Sequence, residues 1–274
     1  MMTKTYALLT LVCLATLSSF AQTTGTFNQT TGVLTQTTGT LTFSLGPDFP
    51  VGAFASKNAN DPNSGLANTG TVTTLSWWQP IRHTHFGVVG SVRFSMNGMN
   101  TKATLKPFEE SEPAYQWSMN KSHWSSGAIL AGPYYQLPLA HRLDLRVNLQ
   151  AGAALCYSPS QTVTGVRDSV GFGPIDFIQA SVGKVHVLTF TALAGVGVSY
   201  YLTRHCSLLL HADYIYMDPT FRNLHEQVTT GQHLVIPGMI FVANAEEVTE
   251  SDFTRNYTQT MSSVEVMVGF GYSW

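Results

Sequence analysis

Hydrophobic and polar residues alternate with a period of two at the C-terminal end of the chain. Every second residue from Val264 to Trp274 is apolar or aromatic, and Glu265, Met267, two glycines and Ser273 lie between them. A period of two places successive side chains on opposite faces of a β-strand. The pattern therefore predicts a strand with one continuous apolar face that runs to the last residue.

Seven upstream segments show the same alternation and are also predicted to be strands. Their apolar side chains alternate with Thr, Ser, Gly or charged residues, as expected for lipid on one side and a polar or small-residue interior on the other. The predicted outward residues are, in chain order, Leu41, Phe43 and Leu45; Leu75 and Trp77; Phe86, Val88, Val92 and Phe94; Ile129, Ala131, Tyr135 and Leu137; Leu145, Val147, Leu149 and Leu155; Leu188, Phe190, Ala192, Val196, Val198 and Tyr200; and Leu208, Leu210, Tyr214 and Tyr216.

The connections between these segments alternate strictly between short and long. Outer-membrane barrels join their strands in this way, with short periplasmic turns and long external loops. The sequence therefore predicts an all-β fold: an eight-stranded antiparallel transmembrane β-barrel with both mature termini in the periplasm. The short links lie near 80–84, 138–142 and 203–206, and the long ones at about 48–67, 97–124, 158–185 and 219–259.

The longest connection contains an apolar segment, residues 234–245. A Pro-Gly pair at 237–238 is a strong turn signal, so we predict a hairpin there that extends above the membrane. A contact surface for a partner is the alternative interpretation of the same segment.

The N-terminus has the organisation of a secretory signal peptide. Lys4 precedes an apolar run from Tyr6 to Leu17, and the small residues Ser19 and Ala21 fit a cleavage site. A Thr/Gly-rich leader follows, in which a heptad beginning Gln-Thr-Thr-Gly occurs three times. We predict a flexible periplasmic leader, with a short added β element as the alternative. The predicted domains are a signal peptide at 1–21, the leader at 22–38 and the barrel at 39–274.

Composition narrows the possible partners and cofactors. Charged residues make up 11% of the chain and the formal net charge is -2, whereas nucleic-acid-binding proteins usually carry a basic face. We therefore expect no nucleic-acid partner. The nine histidines are scattered, and His83 with His85 is the only close pair. A pair without a third ligand is a weak metal signal, so no metal and no other cofactor are predicted.

The alternation also places charged residues on the inner face of the predicted barrel. An eight-stranded barrel is just wide enough for side chains to fill it, and charges in such a space need partners. We interpret these residues as a structural polar cluster and predict no catalytic residue among them. The cluster consists of Arg93, Asp144, Arg146, His211, Asp213 and Glu265.

An enzymatic interpretation of the same face remains as an alternative. His211 and Asp213 are two residues apart on one strand face, where a carboxylate can orient an imidazole as a general base. Such a pair would suit an outer-membrane enzyme that hydrolyses lipid or peptide.

The terminal strand resembles that of outer-membrane β-barrels, whose last residue is typically aromatic. Here Phe270, Tyr272 and Trp274 occupy the outward positions at the end, and the segment Gly46–Gly52 resembles the exit of the first strand in such barrels. From about Gly39 to Trp274, the chain resembles the small outer-membrane β-barrel domain proteins of Gram-negative bacteria, the OmpA/OmpX-like class. The resemblance implies outer-membrane lipid contacts, insertion by the barrel assembly machinery, and an insertion signal formed by those three aromatic residues.

Members of this class include structural anchors, adhesins, porins, secretion accessories and enzymes, and the fold alone does not choose among them. We expect a non-enzymatic protein with a structural, adhesive or interaction role through its extracellular loops, including contact with an extracellular ligand or surface partner. A small porin or a secretion-complex accessory barrel is the first alternative. In the second long loop, Tyr115, Trp117, His123 and Trp124 either bind a ligand or pack over the barrel mouth.

Overall fold

The computed structural model describes residues 39–167, 174–236, 239–240 and 249–274. The predicted signal peptide (1–21) and leader (22–38) lie outside the described residues. The elements, in chain order, are β1 (Thr40–Pro50), β2 (Ala67–Pro80), β3 (Phe86–Met99), α1 (Thr101–Ser111), β4 (Gln116–Met119), β5 (His123–Ala140), β6 (Leu143–Tyr157), β7 (Gln161–Arg167), β8 (Pro174–Val182), β9 (His186–Tyr201), β10 (Cys206–Met217), β11 (Thr220–Ile236), β12 (Met239–Ile240), β13 (Thr249–Thr258) and β14 (Met261–Ser273).

Eight of the strands form one closed antiparallel barrel. Neighbours around the wall follow the order β1, β14, β10, β9, β6, β5, β3 and β2, and β2 pairs with β1 to close the ring. Short turns at 81–85, 141–142 and 202–205 join strands at one end, and the long connections lie at the other end. This architecture confirms the eight-stranded barrel predicted from the sequence.

The outer surface of the barrel is an apolar belt. Leu188 is 70% exposed, Phe190 66% and Val268 62%, although each lies within a paired ladder. Exposed apolar areas on soluble monomers are usually small patches, whereas a band around a barrel is what bilayer hydrocarbon covers. The residues predicted to face outward occupy this belt in all eight strands.

Glycines on the inner face make room for the larger side chains that cross the lumen. A Cβ atom at Gly195 would overlap the side chains of Asp213 and Asn148, and one at Gly269 would overlap Ser44. Because these positions carry no side chain, polar groups from neighbouring strands pack directly against the wall. Glycine and aliphatic residues therefore alternate in β9 and β14 for two reasons. The aliphatic side chains contact lipid on the outer face, and the glycines leave space for lumenal side chains on the inner face.

A second sheet, which we call the loop sheet, is formed by strands from three long connections. Its order is β4, β7, β8, β11 and β13, and the short β12 pairs with the end of β11. Residues Val235 and Ile240 pair across positions 237–238, as do Ile236 and Met239. This strand pairing agrees with the hairpin predicted in the longest connection, and its position above the membrane stays a prediction.

The helix α1 lies beside β4 in the second long connection and was not predicted. Asn100 caps it, because its side-chain oxygen accepts a hydrogen bond from the Ala103 N–H at 3.0 Å. Pro107 lies inside the helix, and an internal proline is a strong signal against helix. Within the described ranges, no helix is long and apolar enough to span a membrane.

We predict that a charge on the belt destabilises the barrel far more than the same charge on α1. Leu210 is 56% exposed and pairs with Val198 and Val268 near the middle of β10. Leu210→Arg should cost about 2–4 kcal/mol of unfolding free energy in lipid vesicles, since arginine near the bilayer midplane costs that much in other barrels. Denaturant titration of vesicle-embedded protein measures it. Glu109→Arg, on the exposed side of α1, is the matched control, and equal effects of the two substitutions would contradict a lipid-facing belt.

Candidate functional site

The barrel interior is filled by side chains in three zones that follow one another from the turn end to the loop end. A polar zone lies near the short turns, a charged zone lies in the middle, and an apolar zone lies under the long loops. The six residues predicted to form one lumenal cluster all face inward, but they divide between the first two zones.

The charged zone is organised by Arg93, which reaches across the lumen from β3. Its guanidinium forms an ion pair with Glu265 on β14, and its Nη1 atom lies 3.8 Å from Asp213 Oδ2 on β10. The Arg93 side chain is 3% exposed, so water contributes little to its solvation. Because a buried charge is tolerated only when it is paired, this guanidinium ties opposite walls of the barrel together.

Three carboxylates form a row on the wall that faces Arg93. Glu265 is the cross-strand partner of Asp48 on one side and of Asp213 on the other, and all three are at most 5% exposed. Sequence reasoning missed Asp48, because Gly46 and Pro47 indicated that the strand ends before it. The period of two from Thr40, Thr42 and Ser44 contains the signal, since it places residue 48 on the inner face.

His211 contributes the only imidazole that contacts this zone among the described residues. Its Nδ1 atom lies 3.3 Å from Asp213 Oδ2, so the predicted His-Asp pair is present. The same carboxylate also faces Arg93, and the pair lies inside a filled lumen. A general base needs a substrate proton within hydrogen-bond reach, and this imidazole faces other lumenal side chains.

The polar zone near the turns is built around Asp144 and Arg146 of β6. The hydroxyl of Tyr201 donates a hydrogen bond to Asp144 at 2.7 Å, and the Gln136 amide donates to the same carboxylate oxygen. Arg146 donates from Nη2 to the Tyr201 hydroxyl oxygen at 3.0 Å, and its guanidinium carbon lies 5.3 Å from the centroid of the Trp78 ring. The turn end of the lumen is therefore closed by an interlocked polar network.

The apolar zone closes the loop end of the lumen. Sequence analysis offered the packing of Trp124 over the barrel mouth as one interpretation but did not identify the other members of this zone. Trp124 is central to it: its indole N–H donates to the Gly65 carbonyl at 2.9 Å, and its ring lies 5.9 Å from those of Phe54 and Phe221. Phe54 lies in the first long connection, Trp124 lies at the start of β5 after the second, and Phe221 lies near the start of the fourth, in β11. We call this set the plug; its buried residues are Phe54, Ala67, Trp124, Ala128, Leu130, Ala154, Cys156, Leu193, Ile215, Met217, Phe221, Leu224 and Met261.

Sequence analysis left open whether the aromatic residues of the second long connection bind a ligand or pack over the barrel mouth. The plug decides this for one of them. Trp124 packs over the barrel mouth, whereas Trp117 and Tyr115 lie in the loop sheet region. The Trp117 ring is 5.2 Å from Phe108 of α1 and 5.7 Å from Tyr115, and Gly165 of β7 leaves room for it. These residues form a small cluster between α1 and the sheet.

Three strands of the loop sheet are paired on one side only within the described part of the chain. These are β4, which pairs with β7, and the strands β12 and β13, which each pair with β11. An unpaired strand edge presents backbone N–H and C=O groups that can add a further strand. The loop sheet is therefore a surface with the chemistry for main-chain recognition.

The predicted insertion signal lies on the outer face of β14. Phe270, Tyr272 and Trp274 are each between 41% and 52% exposed. Backbone hydrogen bonds from Ser273 to the His205 carbonyl at 2.7 Å and from Trp274 to the Gly39 carbonyl at 3.4 Å hold the end of the chain in the wall. The role of these aromatics in insertion stays a prediction.

No described group of three or more His, Cys, Asp or Glu side chains has an arrangement that would hold a metal ion. The carboxylate row instead faces a guanidinium. Ion pairing and packing are thus the chemistry that the lumenal residues support.

We predict that the ion pairs of Arg93 are worth far more than an exposed pair in the same chain. Arg93→Met leaves buried carboxylates without their cation and should cost about 3–5 kcal/mol of unfolding free energy. Lys106→Met is the matched control, because Lys106 forms an exposed pair with Glu110 at 3.6 Å and such pairs contribute about 0.5 kcal/mol or less. Urea unfolding of both variants in lipid vesicles measures the difference, and similar midpoints would contradict the structural role of Arg93.

No protein-family model matches the chain, and no curated protein matches it. Among solved structures, it is similar to a major outer membrane protein from Thermus thermophilus, with 10% identity, 86% of this chain and 99% of that chain covered, and a TM-score of 0.41. It is also similar to Neisserial surface protein A, with 9% identity, 86% and 96% coverage, and a TM-score of 0.41.

A third similar structure is Ail, the attachment invasion locus protein of Yersinia pestis, in complex with the heparin analogue sucrose octasulfate. The identity is 14%, the coverage is 86% of this chain and 99% of that chain, and the TM-score is 0.39. At such identities the similarity concerns the fold alone. The closed eight-stranded wall, the apolar belt and the loops gathered at one end make this chain a small β-barrel of the outer-membrane type.

Proposed function

We propose that this chain is a non-enzymatic, non-conducting outer-membrane barrel whose loop sheet is an interaction surface. The observation that carries the proposal is the combination of a filled lumen with an ordered sheet built from three external connections. A lumen occupied by side chains leaves the loops as the place where another molecule can be recognised.

The proposed orientation places the loop sheet outside the cell and both mature termini in the periplasm. Short turns at one end and long connections at the other support it, since barrels of this type have short periplasmic turns. Outer-membrane lipid contacts the belt, and the barrel assembly machinery inserts the chain through the signal formed by Phe270, Tyr272 and Trp274. The aromatic side chains at the ends of the strands fit the two interfaces of a bilayer.

The filled lumen favours this proposal over a pore. Water or ions would have to pass the plug, the pairing of Arg93 across the lumen, and the network of Arg146 with Tyr201 and Asp144. Opening such a path requires separating buried charges from their partners, which is costly. A secretion-complex accessory role is compatible with a closed lumen and would use the same external surface.

The geometry around His211 favours a structural role over hydrolysis. The plug lies between this imidazole and the loop end, and Asp213 is shared with Arg93. An orienting carboxylate of a catalytic pair should be free to hold its imidazole toward a substrate. Here it is part of a pairing network that crosses the barrel.

The loop sheet offers a specific mode of recognition. Because β4 and β13 pair on one side only within the described ranges, an extended segment of a partner protein can add to either edge through main-chain hydrogen bonds. The partner class that we propose is therefore a surface protein with an accessible strand or extended segment.

The first test removes the centre of the loop sheet while keeping the barrel. Ser158 and Val185 exchange backbone and side-chain hydrogen bonds at the base of the third connection, so replacing residues 161–182 by a short turn leaves that base intact. We expect the variant to remain heat-modifiable in electrophoresis but to lose adhesion of expressing cells to epithelial monolayers and to one another.

The matched control for this test shortens a connection that contributes no strand to the loop sheet. Removing residues 58–60 from the first connection should leave adhesion unchanged. If the variant lacking residues 161–182 adhered as well as the full chain while still folded, the loop sheet would not be the interaction surface.

The second test measures ion conduction. The folded full chain in planar bilayers should show no stepwise conductance, because the plug, the charged zone and the polar zone occupy the lumen in succession. An open porin reconstituted in the same way is the positive control. Reproducible unitary steps from the full chain, absent from protein-free bilayers, would favour the pore alternative.

A further inference from the structure

The plug contains three sulfur-bearing side chains among its buried residues. Cys156 is 0% exposed, Met217 4% and Met261 2%. They come from three strands of the wall, since Cys156 lies on β6, Met217 ends β10 and Met261 begins β14. Thiolate and thioether sulfurs are the donors that soft metal ions such as Cu(I) prefer. These three side chains therefore offer a chemistry that the aliphatic and aromatic members of the plug do not.

The sulfur atoms lie within reach of a single ion. The Cys156 thiol donates a hydrogen bond to Met217 Sδ, with 3.7 Å between the two sulfur atoms. In a tetrahedral site with metal–sulfur bonds of about 2.3 Å, as at zinc, two sulfur ligands are about 3.8 Å apart. The observed distance therefore needs little adjustment to receive an ion.

The register of the wall brings the third sulfur to the same place. Met217 and Met261 are direct cross-strand partners on β10 and β14, and both side chains are buried on the lumenal face. The Cβ atoms of such partners are about 4.5–5.5 Å apart. Because methionine is unbranched and adaptable, Met261 can turn its sulfur toward an ion held by the other two residues.

The surroundings of the sulfurs select a monovalent ion. The residues of the plug carry no charged side chain. When Cu(I) binds, the S–H bond of Cys156 breaks and its proton leaves to solvent, so that the thiolate and the ion are neutral together. A divalent ion with the same three ligands would leave a positive charge in an apolar pocket, which is costly. Copper enters and stays as Cu(I), so no electron is transferred.

We propose that Cys156, Met217 and Met261 form a Cu(I) site at the loop end of the lumen. Cys156 supplies a thiolate ligand, and the two methionines supply thioether ligands. The arrangements of His, Cys, Asp and Glu described above do not include methionine, and sequence analysis weighed only histidines as metal ligands. The bound ion joins β6, β10 and β14 beneath the loop sheet and so stabilises the plug. The site goes beyond the partner proposed for that sheet and does not depend on it.

The test measures Cu(I) binding by the full chain in detergent micelles, without oxygen, in competition with a chromophoric Cu(I) chelator. Cu(I) is added to the folded chain and, in a parallel sample, during folding, so that slow entry through the packed plug is not mistaken for the lack of a site. We expect a tightly bound Cu(I) whose X-ray absorption spectrum shows only sulfur ligands. The unfolding temperature should rise with the concentration of free Cu(I), because an ion that binds only the folded state stabilises it.

Paired substitutions identify the ligands. Cys156→Ala should abolish binding, whereas Cys206→Ala, which removes the other free thiol, should leave it unchanged. Met217→Leu and Met261→Leu keep the apolar volume and should each lower the affinity at least about 10-fold, since even residues that only orient a metal ligand contribute that much. Met267→Leu is the matched control, because Met267 is buried in the lumen outside the plug and its sulfur accepts a hydrogen bond from a threonine hydroxyl.

Heat-modifiability of each variant reports whether the barrel is folded, so that loss of binding is judged only in folded variants. The proposal would be overturned if no Cu(I) bound by either route, or if the Cys156→Ala variant retained the ion. Unchanged affinity in both leucine variants of the plug would leave the cysteine as the sole ligand and would also overturn the three-sulfur site. Adhesion and conduction are measured separately, so failure here is distinguishable from failure of the proposed function.

Discussion

Closure of the hydrogen-bonded wall is the constraint on which the rest of this structure depends. Hydrocarbon offers no partner for a backbone N–H or C=O, so a membrane-spanning sheet must pair every strand on both sides. Pairing of β1 with both β14 and β2 meets that requirement. A closed ring of eight strands then has an interior only as wide as its side chains. Closure therefore satisfies the backbone hydrogen bonds and, at the same time, leaves an interior that side chains must fill.

The interior is filled by pairing charges as well as by burying apolar surface. Removing a guanidinium from water costs several kcal/mol, and a single carboxylate partner barely offsets this. Arg93 faces Glu265 directly and Asp213 at 3.8 Å, from two strands on the far wall. Hydrophobic filling of the same space would give stability without fixing which strands lie opposite. Cross-lumen ion pairs add a geometric requirement, because they form only when the register of β3, β10 and β14 is correct.

The barrel wall could be predicted from the sequence because each strand contacts lipid along its own outer face, whichever strands lie beside it. The alternation of Leu208, Leu210, Tyr214 and Tyr216 reflects contact with hydrocarbon and needs no knowledge of neighbouring strands. The lumenal residues were predicted as a set for the same reason, but their partners were not. Glu265 lies between Asp48 and Asp213 because of the register of β14 with β1 and with β10. Periodicity within one strand does not reveal that register.

The loop sheet and the plug lay beyond sequence reasoning for a different physical reason. The strand β4 has four residues, and its partner β7 comes from the next long connection, so neither has a strong local signal. Phe54, Trp124 and Phe221 are isolated aromatics in the sequence, and they form a core only because the closed wall brings the ends of three connections together. A local sequence pattern can reveal contact with a uniform solvent such as lipid. Contacts between distant segments can be predicted only when the topology is known.

The same plug links the loop sheet to the barrel beneath it. Trp124 is the second residue of β5, which follows the connection that contains β4, and Phe221 is the second residue of β11. Their packing against Phe54 anchors strands of the loop sheet to a barrel that closure already holds rigid. A surface anchored in this way loses less conformational freedom on binding than free loops would. The filled lumen, which argues against transport, thus also supports the proposed recognition role of the loop sheet, because it anchors the strands of that sheet.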